Sequence, residues 1–388
     1  MRILYSHRIQ SRDGQSVHLE EMVAAFRSMG HEVLVVGPSA YARGRLGAES
    51  RTVALARRLL PGAVAEFAEL SYNLSAWRRL ARAAAAFRPD LIYERYNLYY
   101  LAGKWLARRR GILFYVEVNA PLAEERARFG GLRLARIART AERSVWRAAD
   151  RVFAVTGTLK QRIAAAGIPE ARIAVTPNGV ALERFAARQE QSDCQRRQRL
   201  VLGFVGFVRP WHGLDTVIRG MSEAAPDLSL VIAGEGPARA DLERLAETLG
   251  CADRVHFLGL VERQEVPALL AGFDVALQPR VLPYASPLKL FEYMAAGCAI
   301  VAPDQPNIRA IVTHEQNALL FDPAREETIW QAIARLASDS ILRTRLGRAA
   351  RDEVLARDYT WRGNAVRVMQ WAIDDLTRIR HRASTGSE

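Results

Sequence analysis

The sequence predicts an α/β fold made of two doubly wound parallel sheets, each in its own domain. Short apolar runs alternate with amphipathic stretches of helical length almost throughout the chain, which is typical of parallel strands joined by helical crossovers. Two such sets follow one another, separated by the polar stretch 187–199. The 388 residues, 49% of them hydrophobic, also suffice for two cores of ordinary size.

The apolar runs give the strands in order. In the first half they are RILYS, HEVLVVG, DLIYERY, ILFYVEV, RVFAVT and IAVTP, and in the second half LVLGFVG, LSLVIAG, RVHFLG, VALQP, CAIVAP and ALLF. After Phe321 the pattern is purely helical and ends in a long amphipathic stretch from Tyr359 to about Arg382. We expect this last helix to cross back and pack on the first domain. The predicted domains are residues 1–186 completed by 360–382, and residues 200–358, with 187–199 as the linker.

The chain is strongly basic, with a formal net charge of +13. Such a surface attracts anions, whether nucleic acid, anionic lipid headgroups or phosphorylated substrates. The excess lies in the helical stretches Trp77–Arg88, Lys104–Arg110 and Leu132–Ala149. In the third, apolar residues follow helical spacing with arginines on the flanks. That pattern suits either a solvated helix face or a helix lying on a membrane surface.

Two features predict the compartment. No apolar segment follows Met1, and no uncharged run approaches the roughly 18 residues of a spanning helix. The three cysteines, Cys194, Cys251 and Cys298, lack the spacing of a zinc, redox or disulfide framework. We expect a soluble protein of the reducing cytoplasm, acting there or at the cytoplasmic face of the membrane.

In doubly wound sheets ligands bind outside the carboxyl ends of the strands, so the loops that follow strands hold the candidate site residues. The first such loop, Ser6–His18, carries Gly14 and Gln15 ahead of a helix predicted to begin near Ser16. A glycine there brings backbone N–H groups close to an anion, or simply forms a turn. The loop is not a GxGxxG loop, which disfavours a dinucleotide.

The fourth strand ends in VEVNAP, which leaves Glu117 and Asn119 at a strand terminus ahead of Pro121. Polar side chains in this position either cap the loop or contact a polar ligand.

In the second half, Arg209 and His212 follow the first strand and precede a helix predicted near Gly213. An arginine fork, a second potentially cationic group and a helix N-terminus favour a phosphate site over a plain surface loop. The glycines of VIAGEGP, at the end of the next strand, allow close backbone approach or form an ordinary turn.

The segment SPLKLFEYMAAG begins a helix, with Ser286 predicted as its N-cap and Pro287 at its first position. Lys289 then falls in the first turn, where the helix dipole disfavours a cation unless an anion is bound. The N–H groups of Leu288 and Lys289 are free to meet a diphosphate, and Glu292, one turn later, suits a ribose diol. The segment therefore predicts a nucleotide site. The alternative is an ordinary cap followed by a surface acid.

These motifs carry a resemblance to a known family. GFVRPWHGLDTVI, LVIAGEGP, VHFLGLV, VPALLAGFDVALQP and SPLKLFEYMAAGCAIVAP, in that order, resemble the second domain of the GT-B glycosyltransferases of family 4, which are retaining nucleotide-sugar enzymes. DGQSVHLEEMVAAFRSMGHEVLVVG and TPNGV resemble their first-domain signatures. The resemblance implies two Rossmann-like domains facing a cleft, with the donor held mainly by the second and the acceptor by the first.

The resemblance also implies roles for single residues. Arg209 stands at the position of the diphosphate-binding arginine, and His212 where a lysine usually completes the pair. Leu288 and Lys289 match positions whose backbone amides hold phosphate. Glu292 matches the glutamate that binds ribose.

Further positions follow from the same resemblance. Gly14 matches the glycine-rich loop that closes over the donor phosphates, and Leu260 and Val261 lie where the backbone reads the base. Two positions depart from the family pattern. Tyr284 replaces the first of the paired glutamates, which usually touches the donor sugar, and Asn119 stands at the first-domain histidine position.

The sequence thus predicts a retaining, metal-independent transferase that uses a UDP- or GDP-sugar and needs no cofactor. The expected acceptor is a glycan or a polyprenyl-linked hydroxyl, in polysaccharide or envelope glycan assembly. The alternatives are a non-hydrolysing nucleotide-sugar epimerase of the same architecture, a basic nucleic-acid-binding protein and a non-catalytic sugar-nucleotide binder. Nucleic acid is not an expected partner, because the basic residues lie on alanine-rich helices without a recognition motif.

Overall fold

The structure is a computed structural model and divides into two units. It describes residues 1–9, 14–38, 62–185, 199–325 and 327–385. The first unit comprises Met1–Pro177 and Trp361–Glu388, and the second comprises Asn178–Thr360. Of the predicted linker 187–199, only Arg199 is among the described residues. The linker and the boundaries set beside it therefore stay predictions.

The first unit is built on a six-stranded parallel sheet. Its strands are β1 (Arg2–Ser6), β2 (Glu32–Val36), β3 (Leu91–Arg95), β4 (Leu113–Val118), β5 (Arg151–Ala154) and β6 (Ile173–Val175). Their order is β2-β1-β3-β4-β5-β6, so the direction of winding reverses between β1 and β3. Strands β3, β4 and β5 are buried along their whole length, as expected for parallel strands covered by helices.

Helices connect these strands. They are α1 (Gly14–Ser28), α2 (Gly62–Phe87), α3 (Ala102–Arg110), α4 (Leu122–Phe129), α5 (Ala135–Ala148) and α6 (Gly157–Ala165). Their ends follow local chemistry. Gly111 ends α3 in the left-handed conformation, at φ 63°, and the Thr156 side chain caps α6 by accepting the N–H of Leu159.

The second unit repeats the architecture with a different strand order. Its strands are β7 (Leu200–Val205), β8 (Leu228–Ala233), β9 (Val255–Gly259), β10 (Val275–Leu277), β11 (Ala299–Pro303) and β12 (Leu319–Phe321). The sheet runs β12-β11-β10-β7-β8-β9, all parallel. This is the 3-2-1-4-5-6 order of a Rossmann sheet, with its switch point between β7 and β10. Both sheets and every predicted strand are confirmed.

The helices of the second unit follow its strands in turn. They are α7 (Leu214–Glu223), α8 (Arg239–Thr248), α9 (Val266–Ala271), α10 (Leu288–Ala295), α11 (Pro306–Arg309), α12 (Thr328–Ser338) and α13 (Ser340–Ala356). Gly203 in β7 leaves room for the segment that follows α9, because a Cβ added there would lie 2.0 Å from the Phe273 ring. Across the described ranges, no helix has the length and apolarity needed to cross a bilayer.

The last helix, α14 (Trp361–Thr385), belongs to the first unit, as the sequence predicts. Asp375 on α14 accepts from Arg151 Nε at 2.7 Å and from the Tyr115 hydroxyl at 2.8 Å. The Arg151 guanidinium also stacks 3.6 Å above the Trp371 ring. A mostly buried ion pair and a cation–π contact thus fasten the end of the chain to β4 and β5.

Candidate functional site

The loop after β7 is shaped by two glycines. Gly206 and Gly213 adopt φ values of 141° and 71°, which other residues avoid, and Gly213 leads directly into α7. The predicted helix start near Gly213 is confirmed. A Cβ at Gly206 would lie 2.9 Å from Lys289 Nζ, so this glycine leaves room for the lysine head group. The loop therefore carries Arg209 and His212 beside Lys289.

Arg209 is a half-buried cation held by aromatic rings. Its guanidinium lies 4.4 Å from the centre of the Phe207 ring and 4.9 Å from that of Trp211. Within the described part of the chain, no carboxylate lies within 4.0 Å of it, so its charge is not neutralised by an ion pair. A guanidinium that is oriented but uncompensated is suited to bidentate binding of a phosphate.

His212, which the sequence marks as a potentially cationic group, is neutral at pH 7. Burial, followed by the charges of Lys289 and Arg209, lowers the pKa of His212 to about 2. The ring packs 5.4 Å from that of Phe204, and Nδ1 lies 3.5 Å from the Arg209 backbone nitrogen. The sequence places an ionisable group here, but a desolvated site that already holds two cations excludes a third.

Lys289 supplies the second cation of the site. Its Nζ lies 3.7 Å from the centre of the Phe204 ring, the same ring that packs against His212. Burial lowers the pKa of Lys289 to about 7, although the charge of Glu292 opposes this shift. The lysine is therefore close to half protonated at neutral pH, and a bound anion would favour its charged form.

Helix α10 begins at Leu288, and its N-cap position is Pro287, which has no side-chain hydrogen bond to offer. The predicted N-cap at Ser286 is wrong, because Pro287 is still extended, with ψ 117°, and Ser286 Oγ instead accepts the Asn178 N–H at 3.0 Å. The first N–H groups of a helix have no intrahelical acceptor. Those of Leu288 and Lys289 thus remain candidates for an anion, as the sequence predicts.

Three amide side chains that the sequence analysis missed hold the loop before α10. Asn178 Nδ2 donates to the Ser286 carbonyl at 2.6 Å, and Asn307 Nδ2 donates to the Ala285 carbonyl at 2.7 Å. Gln305 Nε2 donates to the Val281 carbonyl at 3.2 Å. The one sequence signal for Asn178 was its place in TPNGV, which resembles a first-domain signature of the family. The structure instead assigns Asn178 to the second unit.

The glycines of VIAGEGP lie after β8 and allow close contact with the loop after β7. A Cβ at Gly234 would lie 2.0 Å from the Gly206 carbonyl oxygen, and one at Gly236 would lie 2.1 Å from that of Val208. The Gly234 N–H donates to the Gly259 carbonyl at 2.7 Å. The close backbone approach predicted at these glycines is therefore to neighbouring loops of the protein itself.

The remaining predicted residues of the second unit surround this centre. Glu292 lies on α10, one turn after its start, and Tyr284 is buried in the loop before it. Leu260 and Val261 directly follow β9, and Leu260 is 60% exposed. Arg209 and His212 follow β7, whereas Leu288 and Lys289 follow β10, so these four residues flank the switch point of the sheet. Their contacts with a ligand stay predictions.

In the first unit, Glu117 is buried and fully engaged by the protein. It forms an ion pair with Arg95 at 2.7 Å and accepts from the Tyr93 hydroxyl at 2.9 Å and from Asn119 Nδ2 at 2.6 Å. Its Oε1 also lies 3.3 Å from His18 Nε2. These bonds make Glu117 a residue that positions Asn119, and its predicted contact with a ligand stays a prediction.

The protonation states of this cluster follow from its burial. Burial opposes ionisation of Glu117, but its contacts with His18 and Arg95 and the hydrogen bonds from Asn119 and Tyr93 together hold the pKa of the carboxyl below its usual value. Burial lowers the pKa of His18 to about 4, although Glu117 opposes the shift. At pH 7 the histidine is thus neutral, and Arg95 is the cation that pairs with Glu117.

Helix α1 carries the other predicted residues of the first unit. It begins at Gly14, two residues before the predicted start near Ser16, and Gln15 in its first turn is exposed. Residues 10–13 of the preceding loop lie outside the described residues. His18 packs edge-on against Trp361 at 4.8 Å, so α1 and α14 are joined beside Glu117.

A second polar cluster lies at the switch point of the first sheet. Glu94, at the end of β3, accepts from Ser6 Oγ at 3.0 Å, and Ser6 ends β1. Burial raises the pKa of Glu94 to about 8, so the carboxyl is protonated at pH 7. A Cβ at Gly103 would lie 1.9 Å from Glu94 Oε2, so only glycine leaves space for it. No sequence signal indicates this site, because Glu94 lies inside an apolar strand pattern.

Comparison with protein families matches nearly the whole chain. Residues 12–184 match the family described as Glycosyltransferase Family 4, and residues 188–353 match Glycosyl transferases group 1.

Several curated proteins resemble the chain. D-inositol 3-phosphate glycosyltransferase of Salinispora tropica is 30% identical over 348 residues, which cover 79% of this chain and 67% of that protein. GDP-mannose-dependent alpha-(1-6)-phosphatidylinositol monomannoside mannosyltransferase of Mycobacterium tuberculosis is 29% identical over 240 residues. That match spans 58% of this chain and 62% of the mycobacterial protein.

Solved structures resemble the fold along almost its full length. HepE from Anabaena, crystallised with UDP, has a TM-score of 0.74 at 16% identity and covers 96% of this chain and 100% of its own. Sucrose-phosphate synthase from Thermosynechococcus elongatus has a TM-score of 0.76 at 16% identity, with 97% and 100% covered. At this identity the likeness concerns the fold alone.

Proposed function

The chain belongs to the group 1 glycosyltransferases of family 4, and we propose that it transfers a sugar from a nucleoside-diphosphate sugar to a hydroxyl acceptor, with retention at the anomeric carbon. One observation supports this most. Arg209, Lys289 and the first N–H groups of α10 flank the switch point of a Rossmann sheet, and neither cation has a carboxylate within ion-pair distance among the described residues. Such a group is suited to a diphosphate.

In the proposed mechanism the protein stabilises the leaving diphosphate. Negative charge grows on it as the glycosidic bond breaks, and Arg209, Lys289 and the amide of Leu288 offset that charge without a metal ion. The neutral His212 contributes a hydrogen bond rather than a charge. The acceptor hydroxyl attacks from the same face and gives its proton to the leaving phosphate, so no protein nucleophile is required.

The other predicted residues complete the proposal. Glu292 binds the ribose hydroxyls, the backbone at Leu260 and Val261 reads the base, and Tyr284 contributes to the selection of the sugar. In the first unit, Asn119 orients the sugar or the acceptor.

Two further features of the first unit belong to the proposal. The Glu117 carboxylate holds the Asn119 amide in place. Gly14 and Gln15 offer helix N-terminal amides to phosphate.

We propose a UDP- or GDP-sugar donor and a glycan or polyprenyl-linked acceptor. A relative described as GDP-mannose-dependent and a neighbour crystallised with UDP support the choice of donor bases. Basic helices in the first unit support work at the cytoplasmic face of an anionic membrane, in polysaccharide or envelope glycan assembly.

The first experiment tests the diphosphate site. Arg209→Met is expected to lower kcat/KM for transfer from a nucleotide sugar by roughly 100-fold or more, because it removes a cation aimed at the developing charge. Arg219→Met, on the exposed face of α7, is the matched control and should leave the rate unchanged. Full activity of the Arg209 variant would refute the assignment.

The donor and the reaction class are separated by ligand screening. A ligand that binds only the native state raises the melting temperature by mass action, so a panel of nucleoside diphosphates and their sugars identifies the base. Incubation of the best donor without an acceptor then tests the epimerase alternative. Appearance of the epimeric nucleotide sugar would replace the transferase proposal.

A further inference from the structure

A basic groove lies between α3 and α5 in the first unit, away from the candidate residues described above. Its volume is about 560 Å³. It is lined by Lys104, Arg108, Thr140, Arg143, Ser144, Arg147 and Ala148. Four of these seven residues are cations, two carry hydroxyl groups and none is acidic. We call this the α3–α5 groove.

The charges in the groove are not balanced by the protein. Within the described ranges, no carboxylate lies within 4.0 Å of any of its four cations. The three arginines Arg108, Arg143 and Arg147 are exposed, whereas Lys104 is half-buried. The four like charges repel one another, and a bound anion would relieve that repulsion.

Hydrogen bonds order the floor of the groove. Lys104 Nζ donates to Ser144 Oγ at 2.9 Å, and Ser144 Oγ donates to the Ala141 carbonyl at 2.7 Å. Burial, followed by the charge of Arg108, lowers the pKa of Lys104. The lysine is thus fixed in a position where the fold, without an anion, disfavours its charge.

The two helices present their groups in register. Lys104 and Arg108 are one turn apart on α3, and Thr140 and Ser144 are one turn apart on α5, so both pairs face the groove together. Exposed apolar side chains continue these faces, with Trp105 41% exposed on α3 and Ile137 40% exposed on α5. A tryptophan beside cations is typical of surfaces that meet lipid headgroups.

We propose that the α3–α5 groove binds a phosphate-bearing group, carried either by an anionic lipid or by a soluble phosphate compound. Arginine forks bind phosphate oxygens in pairs, a lysine adds a point charge, and hydroxyl groups donate to the remaining oxygens. The groove shares no residue with the candidate transfer site.

The test compares two double variants of equal charge. Arg108→Gln with Arg143→Gln removes two groove cations, whereas Arg109→Gln with Arg110→Gln removes two exposed arginines of α3 that do not line the groove. The two double variants should have the same melting temperature and the same affinity for a nucleoside diphosphate. Neither pair of substitutions touches the core or the candidate transfer site. These two readouts also separate failure of the groove from failure of the proposed function.

The lipid arm measures sedimentation with phosphatidylcholine vesicles, with and without phosphatidylglycerol, at physiological ionic strength. If the groove binds a lipid phosphate, the groove variant should bind the anionic vesicles about tenfold more weakly than its control. The soluble arm measures binding of inorganic pyrophosphate by calorimetry. A groove-dependent loss in this arm alone identifies a soluble phosphate as the ligand.

Equal behaviour of the two variants in both arms would overturn the proposal. In that case the binding of anions reflects only the net charge of the helices, which both variants reduce to the same extent.

Discussion

At the scale of single residues, burial decides which groups of the second unit carry charge. Lys289 and His212 pack against the same Phe204 ring, yet the pKa of Lys289 is lowered only to about 7, whereas that of His212 falls to about 2. A lysine starts from a much higher pKa than a histidine, so comparable desolvation leaves it protonatable at neutral pH. The free site therefore has two cationic groups and one neutral ring.

This difference predicts a pH dependence of nucleotide binding. A bound diphosphate raises the pKa of Lys289, so below pH 7 the lysine is charged in both states, and above pH 7 binding must take up a proton. Affinity should thus fall as the pH rises above 7. Calorimetry at pH 8 in buffers of different ionisation enthalpy should report uptake of about one proton.

The control variants distinguish Lys289 from other lysines. Lys289→Met should abolish the uptake, whereas Lys160→Met, on α6, should leave it unchanged. Uptake that persists in the Lys289 variant would assign the proton to another group.

Burial of the Glu94 carboxyl predicts a contribution to the pH dependence of stability. Its pKa is raised by burial from 4.5 to about 8, so between these values the unfolded chain has lost the proton that the folded protein keeps. The contribution of Glu94 to the free energy of unfolding should therefore decrease as the pH rises from about 5 to 8.

The test replaces the carboxyl by a neutral group of the same shape. Glu94→Gln should remove this contribution, so between about pH 5 and 8 the stability of the wild type should fall relative to that of the variant. Glu142 and the buried histidines titrate in both proteins and do not affect this difference. Urea unfolding at a series of pH values measures the slope. An identical slope in wild type and variant would show that Glu94 is ionised in the folded protein.

At the scale of elements, the loop before α10 is held by side chains rather than by regular structure. Asn307, at the start of α11, donates to the carbonyls of Ala285 at 2.7 Å and Leu282 at 3.1 Å. The loop in turn fixes where α10 begins, and so where the N–H groups of Leu288 and Lys289 lie. Asn307, which is not predicted to contact a ligand, thus positions Leu288 and Lys289, which are.

Asn307→Ala should lower stability by about 1–3 kcal/mol, because it removes its hydrogen bonds to two partly buried carbonyls, and should also weaken nucleotide binding. Asn73→Ala is the matched control. Asn73 is buried in the first unit and donates to the Tyr99 carbonyl at 2.7 Å. It should cost similar stability but leave nucleotide affinity unchanged. Equal nucleotide affinity in the two variants would contradict a positioning role for Asn307.

At the scale of the whole molecule, the chain returns to its first unit through α14. The Arg151 and Asp375 side chains that hold it are 6% and 14% exposed. Removing one partner from such a pair leaves a buried charge without compensation. The packing of α14 on the first unit therefore depends on a contact between two residues that are 224 positions apart in the sequence.

Asp375→Asn should lower the free energy of unfolding by about 3 kcal/mol, because Arg151 then lacks its counter-charge. Asp374→Asn, at the neighbouring position on α14, should change it by less than about 0.5 kcal/mol. Chemical denaturation measures both values. A small effect of the Asp375 variant would mean that packing of α14, rather than the ion pair, holds the end of the chain.

The sequence by itself determined the architecture. RILYS and the other apolar runs form the predicted strands, and the stretch after Tyr359 forms the predicted final helix, because strand and helix periodicity is local information. The helix starts near Gly213 and Leu288 followed from local signals as well. The candidate loops were found because parallel strands end at one edge of their sheet.

Only the tertiary structure decided the state and partners of the candidate residues. The neutrality of His212, the pairing of Glu117 with Arg95 and the use of Ser286 by Asn178 arise between residues that are distant in sequence or desolvated by the fold. Local patterns identify a residue type and its element. They hold no information on which distant groups desolvate it or bond to it, and those contacts set its charge and its orientation.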